Sequence, residues 1–440
     1  MVRREQNISH RLLIMRYRHL ITLLLSTLAC SASAYEYNGF TVSGDERAGW
    51  VSYDYGNPAG DPTINKGHKD SEGFYVIPKL SLQTPVRYGF NAKITVAGAT
   101  DFGINDHERQ SRNFVFDPVD NQSFAILQQL YIEYSSDDAH AIVGRNEIVT
   151  PMIDFDDYYM LGNSFEIAKY TGKNLIDNTD IHLGYFNKMA GVWDSGANGT
   201  EFHYMSDASF VPQLNKDEAG NKGVYYAAVE YNNEKHSAQL WEYYATDLYN
   251  MFFAQYNLKN SNSHYSDDFG LQFINWSQLG KLKSSVTEID YSLYSIKYDG
   301  SMDNGFSFAT GFSKYSDGPG QGETLGAWGG YPYFANGMIF HFFEAGSLQN
   351  AASYKLQGGY DLSKVGLENA VFKVRFTYFD LDPDYSFSSN GNPQDAMNLL
   401  GFQLAYRFNK TGYFNATFER HNVEEEHHTT AIRLIGGFTF

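Results

Sequence analysis

The amino-acid sequence predicts an all-β fold: a transmembrane antiparallel β-barrel of eighteen strands, with short periplasmic turns and long extracellular loops. Three observations support this prediction. Apolar and polar residues alternate along most of the chain, the connections alternate between short and long, and the last strand ends at Phe440. This combination is typical of barrels of the bacterial outer membrane.

The first residues have the layout of a secretory signal peptide. An apolar run at residues 20–28 follows a basic segment and precedes Ala32, Ser33 and Ala34, a site where cleavage is expected before Tyr35. The run is too short to cross a bilayer as a helix. We therefore expect residues 1–34 to be removed and residues 35–440 to form one barrel domain, with translation starting at Met1 or Met15.

Composition narrows the class of protein further. The one cysteine, Cys30, lies in the predicted signal peptide, so the exported chain would have no disulfide. The formal net charge is −18, which argues against nucleic acid as a partner. The 34 Tyr, 33 Phe and 40 Gly favour an all-β chain. Beyond the signal no stretch of eighteen apolar residues occurs, which excludes helical membrane spans.

Alternation alone also fits a soluble sandwich. In Phe372–Tyr378, for example, every second residue is apolar. Two features favour a membrane barrel instead: the strands run to about ten residues, and aromatic pairs such as Tyr131/Tyr134 and Tyr243/Tyr244 stand near strand ends. Closure of the sheet would leave no unpaired edge for lipid to contact.

The connections set the number of strands. The short ones are 84–87, 136–139, 299–304, 363–368 and 409–412, and the long ones are 56–72, 102–122, 149–163, 190–222, 316–351 and 381–397. Nineteen strands result if Met338–Glu344 is included, but both ends of a bacterial barrel lie in the periplasm, which requires an even number. We therefore assign Met338–Glu344 to a loop that folds against the barrel wall or into the lumen.

The final strand points to a cellular location. Ile432, Leu434, Phe438 and Phe440 share one face of it. An ordinary terminal strand would explain the alternation but not the terminal aromatic residue, which the barrel-assembly machinery recognises. With the signal peptide, this predicts the outer membrane of a Gram-negative bacterium.

Several segments resemble the OprD-type family of substrate-specific porins, in order along most of the chain. The run Gly144-Arg145-Asn146, then Thr150-Pro151 and Asn163-Ser164-Phe165-Glu166, is similar to the family's constricting third loop. Gln357–Leu362 with Val374-Arg375-Phe376 is similar to a late hairpin. The resemblance implies an eighteen-stranded pore narrowed by inward-folded loops. Members carry basic amino acids, small carboxylates or sugars, so the substrate does not follow from the fold.

Strand phase predicts basic residues along one wall of the lumen: Lys355, Lys373, Arg375, Arg407 and Arg433. Charge on the lipid face would cost about 2–4 kcal/mol near the midplane, so these residues are better placed inside. They resemble the family's basic ladder, which guides a solute's carboxylate. The alternative is that they pair with lumen acids such as Glu419 and brace the barrel.

Opposite charge is concentrated around the third loop, which gives a predicted constriction of Arg145, Asp154, Asp156, Asp157 and Glu166. An acidic eyelet facing the basic wall would orient zwitterions and favour cationic groups. The alternative is a solvated loop that binds divalent ions and lipopolysaccharide outside. Candidates for the opposing lip of the pore come from the long late loop: Glu323, Tyr331, Tyr333, His341 and Glu344.

These predictions describe a porin for passive diffusion of small polar solutes, cation-favouring and selective for basic amino acids or small carboxylates. We expect no enzymatic activity, cofactor or metal, since no nucleophile–His pair is evident and Glu424–His428 fits a solvated hairpin tip. Expected partners are outer-membrane lipid, lipopolysaccharide and the assembly machinery, with the protein a monomer or homotrimer. The alternatives are a general cation-selective porin and an adhesin.

Overall fold

The computed structural model describes residues 34–54, 71–105, 123–156, 160–191, 201–207, 221–280, 288–320, 326, 328–339, 347–386, 393–423 and 427–440. No helix among them is long and apolar enough to cross a membrane.

The described residues form twenty strands. In chain order they are β1 (Tyr35–Tyr37), β2 (Phe40–Asp54), β3 (Ser71–Gln83), β4 (Phe90–Ala99), β5 (Phe124–Ser135), β6 (Ala139–Asn146), β7 (Ser164–Ile176), β8 (Thr179–Ala190), β9 (His203–Tyr204), β10 (Val224–Asn232), β11 (His236–Ala245), β12 (Tyr249–Ser261), β13 (Tyr265–Gln278), β14 (Asp290–Met302), β15 (Phe306–Tyr315), β16 (Ala352–Asp361), β17 (Ala370–Asp380), β18 (Ala396–Arg407), β19 (Gly412–Val423) and β20 (His427–Thr439). A 3-10 turn covers Leu362–Val365.

Eighteen of these strands close into an antiparallel barrel, as predicted. Each pairs with its neighbour in sequence, β8 pairs directly with β10, and β2 pairs with β20 to close the ring, for example Trp50 with Leu434. The short strands β1 and β9 only extend β2 and β8. The predicted number of eighteen strands is confirmed. Met338 and Ile339 lie in the β15–β16 loop, and the rest of the segment predicted to be loop, residues 340–344, lies outside the described residues.

The two faces of the sheet differ as the alternation predicts. Leu80, Leu82 and Val96 are exposed on the outside, where lipid would lie, while Lys79 and Thr95 are buried on the inside. Residues directly opposite each other on neighbouring strands lie on the same face of the sheet. Leu80 is opposite Val96 on the outside, and Lys79 is opposite Ala97 on the inside. This register determines which charged residues face the lumen.

The connections at one end are uniformly short. Gly366, at φ 93°, ends the 3-10 turn between β16 and β17, a conformation that glycine adopts without steric cost. At the other end the connections vary. The loops after β6, β8 and β15 are long, whereas residues 246–248 join β11 to β12 in three residues. The predicted alternation of short and long connections therefore has exceptions.

The last strand is tied into the ring at its end. Gly44 on β2 and Phe440 exchange both main-chain hydrogen bonds, at 2.9 and 3.0 Å. The register places Leu434 opposite Trp50 on the outward face. The apolar face predicted for this strand therefore points away from the lumen.

Candidate functional site

Strand register places the five predicted basic residues on the inward face. Lys355 lies opposite Thr377, Arg375 opposite Gln357, and Lys373 opposite Gln403. Arg433 lies three strands from Lys373 at the same level of the register, because Gln403 pairs with Thr417 and Thr417 pairs with Arg433. Their outward neighbours Leu356, Phe372 and Phe376 are exposed apolar side chains. The five cations therefore form a descending series that ends with Arg407 at the short-turn end.

Inward-facing basic residues also occur on the other walls. Register assigns several more to the interior, among them Arg47, Lys79, Lys93, Lys169 and Lys297. The same phase signal marks most of them, since Lys79 precedes Leu80, Lys93 precedes Ile94, and Lys297 lies between Ile296 and Tyr298. The basic lining therefore surrounds the lumen and is not confined to one wall.

Some of these cations are neutralised by carboxylates. Lys79 Nζ lies 2.8 Å from Glu147 Oε1, and Lys297 Nζ lies 2.9 Å from both Asp268 and Asp299. Arg47 pairs with Asp45 at 3.0 Å. The pair of Lys297 with Asp268 joins two adjacent strands, and the pair of Lys79 with Glu147 joins β3 to the loop after β6. These ion pairs leave little net charge for a solute.

Three members of the predicted series have no such partner. Lys355, Lys373 and Arg407 make no side-chain hydrogen bond or ion pair to any residue that the structure describes. Lys355 on β16 is half-buried and pairs in register with Gly311 on β15, which has no side chain. Gly311 pairs in turn with Lys297 on β14. Unpaired ammonium and guanidinium groups in a partly desolvated passage attract carboxylates.

The long loop after β15, here called the late loop (residues 316–351), runs along the inner wall. Gln272 Nε2 donates to Pro332 O at 2.9 Å, Ser353 Oγ donates to Ala335 O at 3.0 Å, and Thr377 Oγ1 donates to Asn336 O at 2.9 Å. The wall thus supplies donors for loop carbonyls that would otherwise be buried without partners.

A buried carboxylate fixes the far end of the late loop. Glu419 on β19 is fully buried and accepts hydrogen bonds from the main-chain nitrogens of Met338, at 2.7 Å, and Ile339, at 2.6 Å. Arg375 Nη1 donates to Gly337 O at 2.7 Å just before this point. Together these contacts hold residues 336–339 against the basic wall.

The third loop (residues 147–163) folds inward from the opposite side. Thr150 Oγ1 donates to Ile153 O at 2.7 Å and closes a turn, and Gln128 Nε2 donates to Gly162 O at 3.1 Å. Met160, fully buried, reaches the wall at β2, where its carbonyl lies 3.4 Å from Arg47 Nη1. This loop therefore crosses the interior from β6 to β2.

The two loops meet inside the barrel. Ile153 forms isolated β-bridges with Trp328 and Gly329, and Asp154 N donates to Trp328 O at 3.0 Å. Trp328 is fully buried, donates from Nε1 to Met205 O at 3.1 Å and packs on Tyr249 with ring centroids 5.3 Å apart. This junction narrows the lumen.

The predicted acidic constriction is only partly brought together. Asp154 and Asp156 are half-buried at the junction, beside Gly329. Arg145 and Glu166 differ from the expectation. They pair with each other across β6 and β7 at 3.0 Å, in register with the exposed outward residue Leu130. They face away from the lumen because Arg145 shares the phase of the exposed Val143 on β6 and Glu166 that of the exposed Tyr170 on β7. Asp157 lies outside the described residues.

Two tyrosines of the predicted opposing lip, Tyr331 and Tyr333, lie among the described residues. Tyr333 is buried against Tyr315, with ring centroids 6.0 Å apart, and burial raises the pKa of its hydroxyl. Tyr331 is half-buried and packs against the same core. Tyr333 is therefore a packing residue that fixes the loop, and it offers a solute little surface. Glu323, His341 and Glu344 lie outside the described residues.

Below the constriction a cavity of about 790 Å³ opens at the short-turn end. Its lining includes both signs of charge: Arg47, Arg407, Arg433, Asp45, Asp361 and Glu368. The basic series therefore leads from the loop junction into a polar vestibule. No group of His, Cys, Asp and Glu among the described residues is arranged to hold a metal ion.

Comparison with known proteins gives a structural match only. No family model and no curated protein sequence matches the chain. Among solved structures, the Pseudomonas aeruginosa protein OccK9 (OpdG) superposes with a TM-score of 0.72 at 13% identity, over 91% of this chain and 98% of that one. OccAB3 of Acinetobacter baumannii gives 0.71 at 14% identity, over 91% and 99%.

A third structure is informative because of its ligand. OpdK of Pseudomonas aeruginosa, crystallised with vanillate, superposes with a TM-score of 0.67 at 12% identity, over 91% of this chain and 98% of that one. At these identities the likeness establishes the fold. A shared fold of this kind does not assign a substrate to the chain.

Proposed function

We propose that this chain is an outer-membrane channel of the OprD/Occ type, through which small carboxylate-bearing solutes diffuse passively. The observation that carries the proposal is the series Lys355, Lys373 and Arg407. These inward-facing cations lie at successive depths and lack carboxylate partners among the described residues. The fold supports a location in the outer membrane of a Gram-negative bacterium, and the proposal assigns no enzymatic step to the chain.

The spacing of the series suits a moving solute. Lys355 is paired with Thr377, which is two residues from Arg375 on the same strand, and Arg375 is two residues from Lys373. Two residues of a strand span about 6.6 Å, so a carboxylate could reach the next cation before fully leaving the previous one. A solute passes through a channel when each site attracts it enough for entry but holds it weakly enough for release, and several successive sites meet this condition. That OpdK was crystallised with vanillate is consistent with this solute class.

A liposome-swelling assay tests the proposal. Proteoliposomes should swell in small monocarboxylates faster than in the corresponding neutral amides of the same size. Lys355→Gln should reduce this difference several-fold and leave the amide rates unchanged. Equal swelling in acid and amide for the native protein would refute carboxylate recognition, and no swelling in either would refute the channel itself.

A second candidate is a cation-favouring pore for basic amino acids. It rests on Asp154 and Asp156, two carboxylates at the loop junction. We rank it second because Glu166, counted in the same acidic group, faces outward and is neutralised by Arg145. Reversal potentials across a salt gradient separate the two candidates, since a cation-favouring pore would discriminate against chloride.

A further inference from the structure

Arg145, Glu166 and Lys188 lie side by side across β6, β7 and β8 on the outward face of the barrel. Arg145 is in register with Glu166, and Glu166 with Lys188. Val143, two residues before Arg145, is 63% exposed, and Tyr170 on the same face of β7 is also exposed. The three charged residues therefore face the membrane and not the lumen.

These residues lie at the long-loop end of the barrel wall. Arg145 is one residue from the end of β6, Glu166 is two residues from the start of β7, and Lys188 is two residues from the end of β8. Aromatic residues surround them. Tyr204 lies opposite Lys188, and Tyr185 packs on the exposed Tyr225 with ring centroids 4.6 Å apart. Aromatic girdles of this kind mark the headgroup level of a membrane barrel.

The only carboxylate among the three is fully engaged. Glu166 Oε1 accepts from Arg145 Nε at 3.2 Å and from Nη2 at 3.0 Å, and Oε2 accepts from Asn187 Nδ2 at 3.3 Å. The Arg145 guanidinium also stacks on Phe202, 4.0 Å from the ring centroid. Its Nη1 donates to no described residue, so the guanidinium keeps donors for a further anion.

Lys188 has no ion-pair partner among the described residues. Its ammonium lies 4.5 Å from the centroid of the Tyr204 ring, a cation–π contact that holds the side chain outward. Arg145 and Lys188 are two strand spacings apart, about 10 Å. Glu201, which opens the neighbouring segment, pairs with His203 at 3.5 Å. The patch therefore presents an unneutralised ammonium and a partly free guanidinium at the membrane interface.

We propose that this patch binds the phosphate group of an outer-leaflet lipid. Phosphate oxygens are strong acceptors for guanidinium and ammonium donors, and a cation beside lipid is stabilised when an anionic headgroup neutralises it. The aromatic residues would contact the upper part of the acyl region below that headgroup. The inference rests on the proposed function in one respect: the long-loop end must face the outer leaflet.

Binding of diphosphoryl lipid A to the purified full chain in detergent, followed by native mass spectrometry over a lipid concentration series, tests this site. Lys188→Gln should raise the apparent Kd about fivefold, the share expected for one basic residue near an anionic headgroup. Lys188→Arg should restore affinity. Dephosphorylated lipid A should bind the native protein and Lys188→Gln equally. Inorganic phosphate alone should give no Lys188-dependent binding.

Arg420→Gln is the matched control. Arg420 is also an exposed outward arginine near the long-loop end, in register with the exposed Leu400, but its Nε donates to Asn422 and it has no second cation beside it in register. The proposal is overturned if Lys188→Gln binds lipid A like the native protein, if Arg420→Gln loses as much affinity, or if inorganic phosphate binds with the same dependence on Lys188.

The proposed function and this inference fail separately. A variant set that conducts ions normally but shows no role for Lys188 in lipid binding would overturn only the lipid site. A protein that binds lipid A through Lys188 but gives no conductance would overturn only the channel.

Discussion

Arg375 donates from Nη1 to the main-chain oxygen of Gly337 at 2.7 Å, so a cation of the inward basic series also holds the late loop against the wall. Its Nε donates to Gln357 Oε1 at 2.9 Å, while Nη2 has no acceptor among the described residues. Bracing and guiding a solute are therefore compatible roles for this residue. The partnerless Lys355, Lys373 and Arg407 are free of the bracing role.

Replacing Arg407 and Arg375 by alanine should have different effects. Arg407→Ala should slow carboxylate uptake and leave a neutral solute unaffected, because Arg407 is exposed in the vestibule and makes no hydrogen bond or ion pair with a described residue. Arg375→Ala should change permeation of both solutes, because it releases residues 336–337. Liposome swelling with an acid and its amide distinguishes the two patterns. Identical patterns for both variants would contradict the division of roles.

Glu419→Gln should loosen the late loop. The glutamine side chain has one oxygen, so only one of the Met338 and Ile339 nitrogens keeps its acceptor, and a hydrogen bond to a charged group contributes about 1.5–3 kcal/mol. We expect faster amide hydrogen exchange at residues 338–339 and larger fluctuations of the open-channel current. Glu230→Gln, an inward carboxylate that faces His182 on β8, is the control and should leave both unchanged.

Trp328→Ala should open the junction between the loops. The indole is fully buried, and removing a buried tryptophan typically costs about 3–5 kcal/mol, here in the loop packing and not in the barrel. Single-channel conductance should rise, while the folded barrel keeps its heat-modifiable mobility on gels. Trp50→Ala is a suitable control because Trp50 packs on the outward face. Unchanged conductance in Trp328→Ala would mean that this junction does not limit the pore.

Gly144→Ala should destabilise the barrel itself. Gly144 lies within β6 at φ 133°, and a Cβ there would collide with the main-chain oxygen of Leu130. A residue forced into such a conformation costs about 1–3 kcal/mol, which should lower the thermal unfolding temperature measured by circular dichroism. Gly358→Ala on β16 is the control, since a Cβ at Gly358 meets no atom within 4 Å. Equal stability of both variants would refute this role for Gly144.

Much of the wall could be predicted from the sequence because alternation is a local property. Phase alone places Lys355, Lys373 and Arg375 inside, and it also marks Lys79 and Lys297. Phase also places Arg145 on the outward side with Val143, and Glu166 on the outward side with Tyr170. Their assignment to the constriction followed the resemblance of this segment to the family's third loop, and it does not agree with their outward position.

Contacts between the loops could not be predicted. Eight of the eighteen barrel strands lie between Ile153 and Trp328 in sequence, and neither loop has a periodicity that would orient it. The prediction that Met338–Glu344 folds against the wall or into the lumen came from its apolar character. The main-chain nitrogens of Met338 and Ile339 donate to Glu419, which the sequence suggested only as a brace for basic residues. Hydrogen bonds to main-chain nitrogens produce no residue pattern from which they could be predicted.

Single-channel recording with a small aromatic carboxylate tests the central claim most directly. The purified protein in a planar bilayer should give discrete conductance steps, and the carboxylate should cause brief, concentration-dependent blockades that the corresponding amide does not cause. In Lys355→Gln the blockades should become several-fold shorter, because the inward ammonium without a carboxylate partner is lost. Absence of discrete steps, or equal blockades by the acid and the amide, would contradict a channel that recognises carboxylates.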